Sequence, residues 1–427
     1  MRPINRREFT QEMKAEYTIL VPMMLPIHFS LIEDIMRNEG YRLVLLQNTG
    51  PAVVETGLKY VHNDTCYPAL LVIGQLIDAL NSGQYDLNKT ALMLTQTGGG
   101  CRASNYIHLL RKALVKAGLG DIPVISLNPT GLEKNSGFKL TIPMLRRLLA
   151  GVVYGDLLML LRNQTAPYET EKGAAEALTG RWVEELARLF RLGKALSRRE
   201  FARYSRQITD SFAEVPVRVV PKVKVGVVGE IYIKYAALGN NNLEAHLTEE
   251  EDCEVRVPGL MGFLFYCASN PIEDAKLYGK NRLKGFASSV VLWYMEEFEK
   301  VMIASVRRQP RFMPPEPFRE TRRSVLGIIG LGNKMGEGWL LTAEMVELIE
   351  SGVSNIVCTQ PFGCLPNHIS GKGMIRRLRV LYPEANIVPI DYDPSASPVN
   401  QENRIKLMLA IAREQLGVDR RAAGCAV

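Results

Sequence analysis

Cysteines are the residues of this sequence best placed to do chemistry, and there are seven: Cys66, Cys101, Cys253, Cys267, Cys358, Cys364 and Cys425. Two of them share a setting. In "ALMLTQTGGGCRASNY" an apolar run ends at Thr95-Gln96, three glycines follow, and Cys101 opens a helix-like pattern. In "NIVCTQPFGCLPNH" an apolar run, Thr359-Gln360 and a tight turn lead to Cys364. A third, Cys66 in "HNDTCYP", stands one turn before a helix with Pro68 in its first turn. Ligands of open α/β sheets bind beyond the carboxyl ends of the strands, and Cys101 and Cys364 fall there. A helix N-terminus offers unpaired N–H groups and the positive end of a dipole, which favours thiolate over thiol. Thiolates among loop amides are what iron–sulfur clusters need, since hydrogen bonds to sulfur tune the potential. Gly98, Gly99 and Gly100 would let the backbone approach such a bulky group.

Each cysteine also has a plainer reading, as a small buried hydrophobe. Cys253, and Cys358 within an expected strand, read equally well as core. Cys267, in "GFLFYCASNP", reads as core on pattern alone, and Cys425, in "RAAGCAV", as a bystander in the tail. The odd count argues against a disulfide framework in a cytosolic chain. No CxxC pair is present, which weakens a zinc-ribbon or thioredoxin reading. Glu337 in "GEGW" and His368 in "PNH" are candidates for an acid/base step. A surface glutamate and a helix-capping histidine are the equal alternative. Asp391 and Asp393 serve equally as turn and capping residues. The glycine-rich "GIIGLGNKMGEGW" does not have GxGxxG spacing, and "SGKGM" is not a P-loop, so no ATP site is expected in this chain.

The elements that must position these residues alternate in the first part. Strands are expected at Tyr17–Met24, Tyr41–Asn48, 89–96 and Ile122–Asn128. Helices are expected at Ile27–Asn38, stopped by Gly40, at Pro68–Leu80, and from Ser104 to Leu119. Such alternation indicates a mostly parallel sheet covered on both faces. From about Thr141 to Phe212 strand signals vanish and helical periodicity takes over. Alternation returns at "KVKVGVVGEIYI". Thr342 is expected to cap a helix with Met345, Leu348 and Ile349 inward and Gly352 as its stop. Strand, helix, strand and a closing amphipathic helix follow. The expected organisation is a first α/β domain over 1–140, a helical connector over 141–220, and a second α/β domain with a helical insertion over 221–427.

The chain has 427 residues, 47% hydrophobic and 23% charged, which fits two or three globular domains. Its net charge of +7 is dispersed, and small clusters such as "RRQPR" read as solvated surface, so no nucleic-acid partner is expected. "LLAGVVYGDLLMLL" is too short to span a bilayer and contains Asp156. The N-terminus lacks the apolar region of a signal peptide. A cytoplasmic protein without membrane contact is expected.

Five blocks carry a resemblance: "HNDTCYPALLVIGQLIDAL", "LTQTGGGCRASNYIHLLRKAL", "VGVVGEIYIKY", "GNKMGEGWLLTAEMVELIESGVSNIVCTQPFGCLPNHISGKGMIRRLR" and "NIVPIDYDPSASPVNQENRIKLML". The chain resembles the 2-hydroxyacyl-CoA dehydratase-related iron–sulfur family. It is most similar to the C-terminal module of large fusion proteins that join an activase ATPase to dehydratase-like modules. The resemblance runs from about Gly57 to Leu409 and is weakest between about Thr165 and Pro221. It implies two flavodoxin-like α/β domains with helical additions, holding [4Fe–4S] or double-cubane clusters on scattered cysteines. It also implies a separate activator of the sugar kinase/Hsp70/actin type, which hydrolyses ATP and injects one low-potential electron. A sister dehydratase-like subunit or a second copy would complete the assembly. By resemblance, the ligand role falls on Cys66, Cys101, Cys267, Cys358 and Cys364, with Cys253 as a sixth candidate. Six thiolates would suit two cubanes; three or four would suit one. "GNKMGEGW" carries Lys334-Met335 where a smaller polar pair is expected.

The expected function is therefore a cluster-binding subunit of an anaerobic lyase (a 2-hydroxyacyl-CoA dehydratase) or of an ATP-dependent reductase. The alternatives are a non-catalytic electron-relay or scaffold subunit, and an unrelated zinc- or nucleotide-binding protein.

Overall fold

The computed structural model describes residues 6–424 except 63, 97–99, 128–132, 134 and 280, with backbone alone for 418–424. Strands β1 (Thr18–Pro22), β2 (Arg42–Leu46), β3 (Thr90–Thr95) and β4 (Val124–Leu127) form one parallel sheet in the order β2-β1-β3-β4. Strands β5 (Lys224–Gly229), β6 (Glu254–Arg256), β7 (Asn355–Pro361) and β8 (Asn386–Tyr392) form a second, in the order β6-β5-β7-β8. The two orders are the same. In each sheet the first strand has the second on one side and the third on the other, so strand order reverses between the first and third. The expected α/β class with two flavodoxin-like parallel sheets is what the chain adopts.

Helix Tyr67–Asn81 lies between the halves. Its sequence is apolar nearly all round, and thirteen of its fifteen residues are buried. An all-apolar helix must be covered on every side. Leu70, Leu71 and Ile77 pack with Leu20 and Leu92 of the first sheet, in a core continuous with Val225, Val227 and Ile390 of the second. Helix Pro51–Tyr60, which sequence reasoning did not find, crosses it glycine on glycine. A Cβ on Gly74 would stand 2.3 Å from the Val53 carbonyl oxygen, and one on Gly57 2.5 Å from that of Leu70.

Helices Ile142–Thr165, Ala174–Arg191 and Arg198–Ala213 fill the middle of the chain. They share a core with helix Pro26–Asn38 and with the hairpin Leu260–Tyr278/Arg282–Arg307. Asp156, apart from interrupting an apolar run, receives the amides of Leu260 (2.7 Å) and Met261 (2.8 Å) and the His28 Nε2 (2.7 Å). It thereby caps the helix that carries Cys267. Among the described residues no helix is long and apolar enough to cross a membrane.

One cap expectation fails. The helix after "GEGW" runs Trp339–Glu350, so Thr342 lies inside it, and its hydroxyl donates to the Ser370 carbonyl at 2.7 Å. Trp339-Leu340-Leu341 are buried with the core and start the helix earlier than the capping residue implied.

Two buried acids make stability pH-dependent. Burial pushes both Glu299 and Glu347 from 4.5 to about 7. Each carboxyl accepts a backbone amide, Glu299 from Phe318 (2.8 Å) and Glu347 from Glu316 (3.1 Å). An acid raised on folding contributes stability that is full below its unfolded pKa and is lost as pH rises through its folded pKa. A Glu347→Gln protein, whose amide oxygen can accept from Glu316 while its NH2 donates to the Thr321 hydroxyl in place of the bond the carboxyl accepts there at 2.8 Å, is expected to melt several degrees above the parent at pH 8. Scanning calorimetry from pH 5 to 8 should show the gain shrinking toward pH 5.

Candidate functional site

The repeated Thr-Gln pairs are topologically equivalent. Thr95-Gln96 and Thr359-Gln360 both end the third strand of a four-stranded sheet, beside the point where strand order reverses. Their glutamines are buried, and that of the first sheet holds the loop after its strand. Gln96 donates to the Ser104 carbonyl (2.9 Å) and accepts from the Ser126 hydroxyl (2.8 Å). Gln360 donates to Cys358 Sγ (2.9 Å). Cys101 and Cys364 leave these strands at matching places.

Three cysteines stand at N-cap positions. Cys66 precedes helix Tyr67–Asn81 directly, Cys101 precedes the 3-10 turn Arg102–Asn105, and Cys364 precedes the short helix Leu365–Ser370. The amides of Ala69, Ala103 and Asn367 act on the respective sulfurs and pull the thiol pKa values downward, against the larger upward effect of burial, without closing full cap hydrogen bonds. Loops of the two halves meet here. The Tyr67 amide donates to the Phe362 carbonyl at 3.0 Å, and a Cβ on Gly363 would stand 3.2 Å from the Cys66 Cα. Gly363 has φ +75°, so glycine is required both by conformation and by this approach. Cys66 Sγ lies 2.9 Å from the Tyr106 hydroxyl.

Two carboxyls lie beside them, Glu337 buried and Glu230 half-buried. Glu230 follows β5, the first strand of the second sheet, and its side chain accepts the Ile233 amide at 2.9 Å. Glu337 accepts the Ile231 amide at 3.0 Å. Gly229 lets β5 end there: a Cβ would fall 1.9 Å from the Thr359 hydroxyl oxygen. Burial raises both carboxyls, and their mutual repulsion adds to it for Glu230, against the opposing Lys234 charge. Lys234 itself pairs with buried Glu344 at 2.9 Å. The Glu230 charge acts on Cys66, Cys101 and Cys364, and the Glu337 charge on Cys101, Cys364 and Cys267. Four thiols and two carboxyls thus share one electrostatic neighbourhood.

The sequence-level expectation of helix-favoured thiolates is corrected here. Burial outweighs the amides and pushes every described cysteine up: Cys101 and Cys253 to about 11, Cys267 and Cys358 to about 12, and Cys66 and Cys364 upward as well. Desolvation acts on the whole charge, whereas two of the three caps are single short turns with little dipole.

The other candidates separate. Cys267 is exposed, not core, although the protein around it raises its pKa. Cys358 points into the sealed core with Val228, Met345 and Ile375. Cys253 is buried at the opposite, N-terminal end of β6, its Sγ 3.4 Å from the Glu251 carbonyl. The structure does not bring these two to the cleft. Cys425, Gly98 and Gly99 lie outside the described residues. A Cβ on Gly100 would stand 2.5 Å from Met335 Sδ, and Lys334 pairs with Asp274. His368 Nδ1 lies 2.9 Å from the Cys364 carbonyl, one turn back on its own helix, a carbonyl that also accepts the His368 amide. Asp391 pairs with Lys372 (3.0 Å), and Asp393 closes a turn on the Ser395 amide (2.7 Å). Glu337 is no surface residue. Glu230 and Tyr106 were missed in the sequence; the legible signal for Glu230 was an acid set directly after a strand-ending glycine.

Among the described residues no three His, Cys, Asp or Glu side chains converge closely enough to hold a single metal ion. Thiolates around an iron–sulfur core stand farther apart than the ligands of one ion. A cavity of about 160 Å³ lies elsewhere, lined by Asn241, His246 and Gln401. No protein-family model matches the chain, and no curated protein does.

Thiol reactivity follows from these positions. In metal-free protein, Cys267 and Cys101 are expected to alkylate first, and Cys253 and Cys358 to resist until unfolding. Because the thiolate is the nucleophile, the Cys101 rate should climb about tenfold per pH unit between about pH 8 and 10. Mass-spectrometric site mapping across that range checks both statements.

Proposed function

We propose that this chain is the iron–sulfur-binding subunit of a 2-hydroxyacyl-CoA dehydratase-like or double-cubane reductase system, served by a separate ATP-dependent activator. One observation carries the reading. Cys66, Cys101 and Cys364, drawn from both α/β halves, meet with Glu230 and Glu337 where strand order reverses.

The donor set fits such a group. Cys66, Cys101 and Cys364 would be its thiolate ligands, and Cys267, which is exposed, a fourth. With Cys253 and Cys358 held in core, the number of remaining thiols suits a single cubane better than two. When bound, a cluster of this kind supplies one low-potential electron at a time. The chain's own residues do the rest. The amides of Ala69, Ala103 and Asn367 face the sulfurs and would stabilise their negative charge. Glu230 and Glu337 keep protons on their carboxyls in the dry cleft and can pass one to a bound oxygen. Tyr106 holds the Cys66 sulfur in place. Phe362 and Met335, both exposed at the mouth, give a partner or substrate an apolar rim to cover. In this reading the chain works in the cytoplasm, takes electrons from the activator, and acts with a sister subunit or a second copy of itself.

The test is bound iron in anaerobically prepared single variants. Cys101→Ala and Cys364→Ala are expected to lose most of it. Cys358→Ala and Cys425→Ala are expected to keep it within about 20% of the parent, since neither thiol is a ligand in this reading. Equal iron in all four variants would overturn the assignment.

A further inference from the structure

One side chain ties the loop of Cys101 to the sulfur of Cys66. The turn Arg102–Asn105 after Cys101 is held by Ser104, whose amide (3.1 Å) and hydroxyl (2.6 Å) both donate to the Cys101 carbonyl, and by Gln96, which donates to the Ser104 carbonyl. Helix Tyr106–Lys116 starts directly behind it. Ile107, Leu110 and Leu114 of that helix are buried in the core that also takes up Leu70 and Leu71 of helix Tyr67–Asn81. This packing holds Tyr106, the first residue of one helix, against Cys66, the cap of the other, with the hydroxyl oxygen 2.9 Å from Cys66 Sγ. The phenol is also within electrostatic reach of Cys101 and Glu230. Among the described residues, no other side chain hydrogen-bonds the sulfur of Cys66, Cys101 or Cys364. The second half has no counterpart. Tyr106 stands five residues after Cys101, and five residues after Cys364 the chain carries Ile369, which is half exposed.

We infer that Tyr106 sets the reduction potential of the group held through Cys66, by donating its hydroxyl hydrogen bond to the coordinated sulfur. The inference rests on the reading of these cysteines as cluster ligands. Ligation fixes the direction of the bond: a coordinating thiol is deprotonated and has nothing to donate, whereas the phenol carries an O–H. An electron added to such a group places part of its negative charge on the coordinating sulfurs. A donor at one of them therefore stabilises the reduced form more than the oxidised form and raises the potential, and hydrogen bonding to sulfur is one of the levers a protein has on it. A hydrogen bond to an ionised acceptor is roughly twice as strong as one between neutral groups, and exclusion of water strengthens it further. The cap amides act on all three sulfurs alike, and Tyr106 adds to Cys66 alone. A raised potential eases the one-electron transfer from the activator and lowers by the same amount the driving force left for the substrate. Tyr106 touches a ligand and not the substrate, so it is a positioning residue acting through Cys66.

The test uses the full chain purified without oxygen, with iron and sulfide counted first. Potentiometric titration with titanium(III) citrate, followed by electron paramagnetic resonance, gives the midpoint potential of the parent and of Tyr106→Phe, which keeps the ring and removes only the hydroxyl. The variant is expected to keep its iron and its helix content by circular dichroism. It should be about three- to tenfold harder to reduce, a fall of ~30–60 mV for a one-electron couple. In heavy water, electron–nuclear double resonance of the reduced parent should show an exchangeable hydrogen coupling that Tyr106→Phe lacks, a signature that ring packing alone does not produce. An unchanged midpoint in an iron-replete variant would overturn the inference and leave the cluster reading standing. A parent whose exchangeable couplings all persist in the variant would do the same. Loss of iron from Tyr106→Phe would also overturn it, because the hydroxyl would then serve assembly and not potential. A parent without iron and sulfide would overturn both readings.

Discussion

Acidic groups packed together away from water set the terms for the centre of this molecule. Glu337 and Glu344 are buried with Lys234, Glu230 lies half-buried next to them, and the charges of Glu230 and Glu337 act on the thiols of Cys101 and Cys364, that of Glu230 on Cys66 as well. Ionising any of them in a dry site costs more than one cation and a few amides return, so the metal-free cleft holds its protons. A ligand with a positively charged core changes that balance. Binding it would release thiol protons and turn an electrostatic liability into a folding contribution, as metal sites generally do.

The fold supplies this cleft by repetition and by one helix. Two sheets of identical strand order each offer a crevice between their first and third strands, the usual ligand position in such sheets. Helix Tyr67–Asn81, apolar on all sides, packs between the halves, and its N-terminal end presents Cys66 to the loop that carries Cys364. The glycines at this meeting are steric necessities. Gly229 admits Thr359 at a distance no side chain would tolerate, and Gly363 combines a tight approach to Cys66 with a left-handed φ of +75°. The cleft is thus built from backbone contacts that a larger residue at either position would force apart.

Much of this was legible in the sequence because its periodicities were strong. The β1, β3, β5, β7 and β8 runs, the helix after Cys66 and the helical middle are all patterns that tertiary structure had no reason to override. What escaped was short or depended on folding. Strand β6 has three residues on a sheet edge, too few for alternation to show. Helix Pro51–Tyr60 hides behind glycines that look like breakers but serve a close crossing. Glu230 lay in a motif read only as a strand end, and its burial becomes visible only when the loop of Glu337 folds over it. The cysteines were legible as a set, but their separation was not. Residue type places Cys358 beside Cys364; the pleat of β7 turns it into the opposite core.

The most direct measurement is iron, zinc and acid-labile sulfide per chain in protein purified without oxygen. The account predicts iron and sulfide in comparable amounts, about four of each for one cubane, and little zinc. Zinc without sulfide, or no metal at all, would contradict it and leave the paired Thr-Gln/Cys loops as structural features alone.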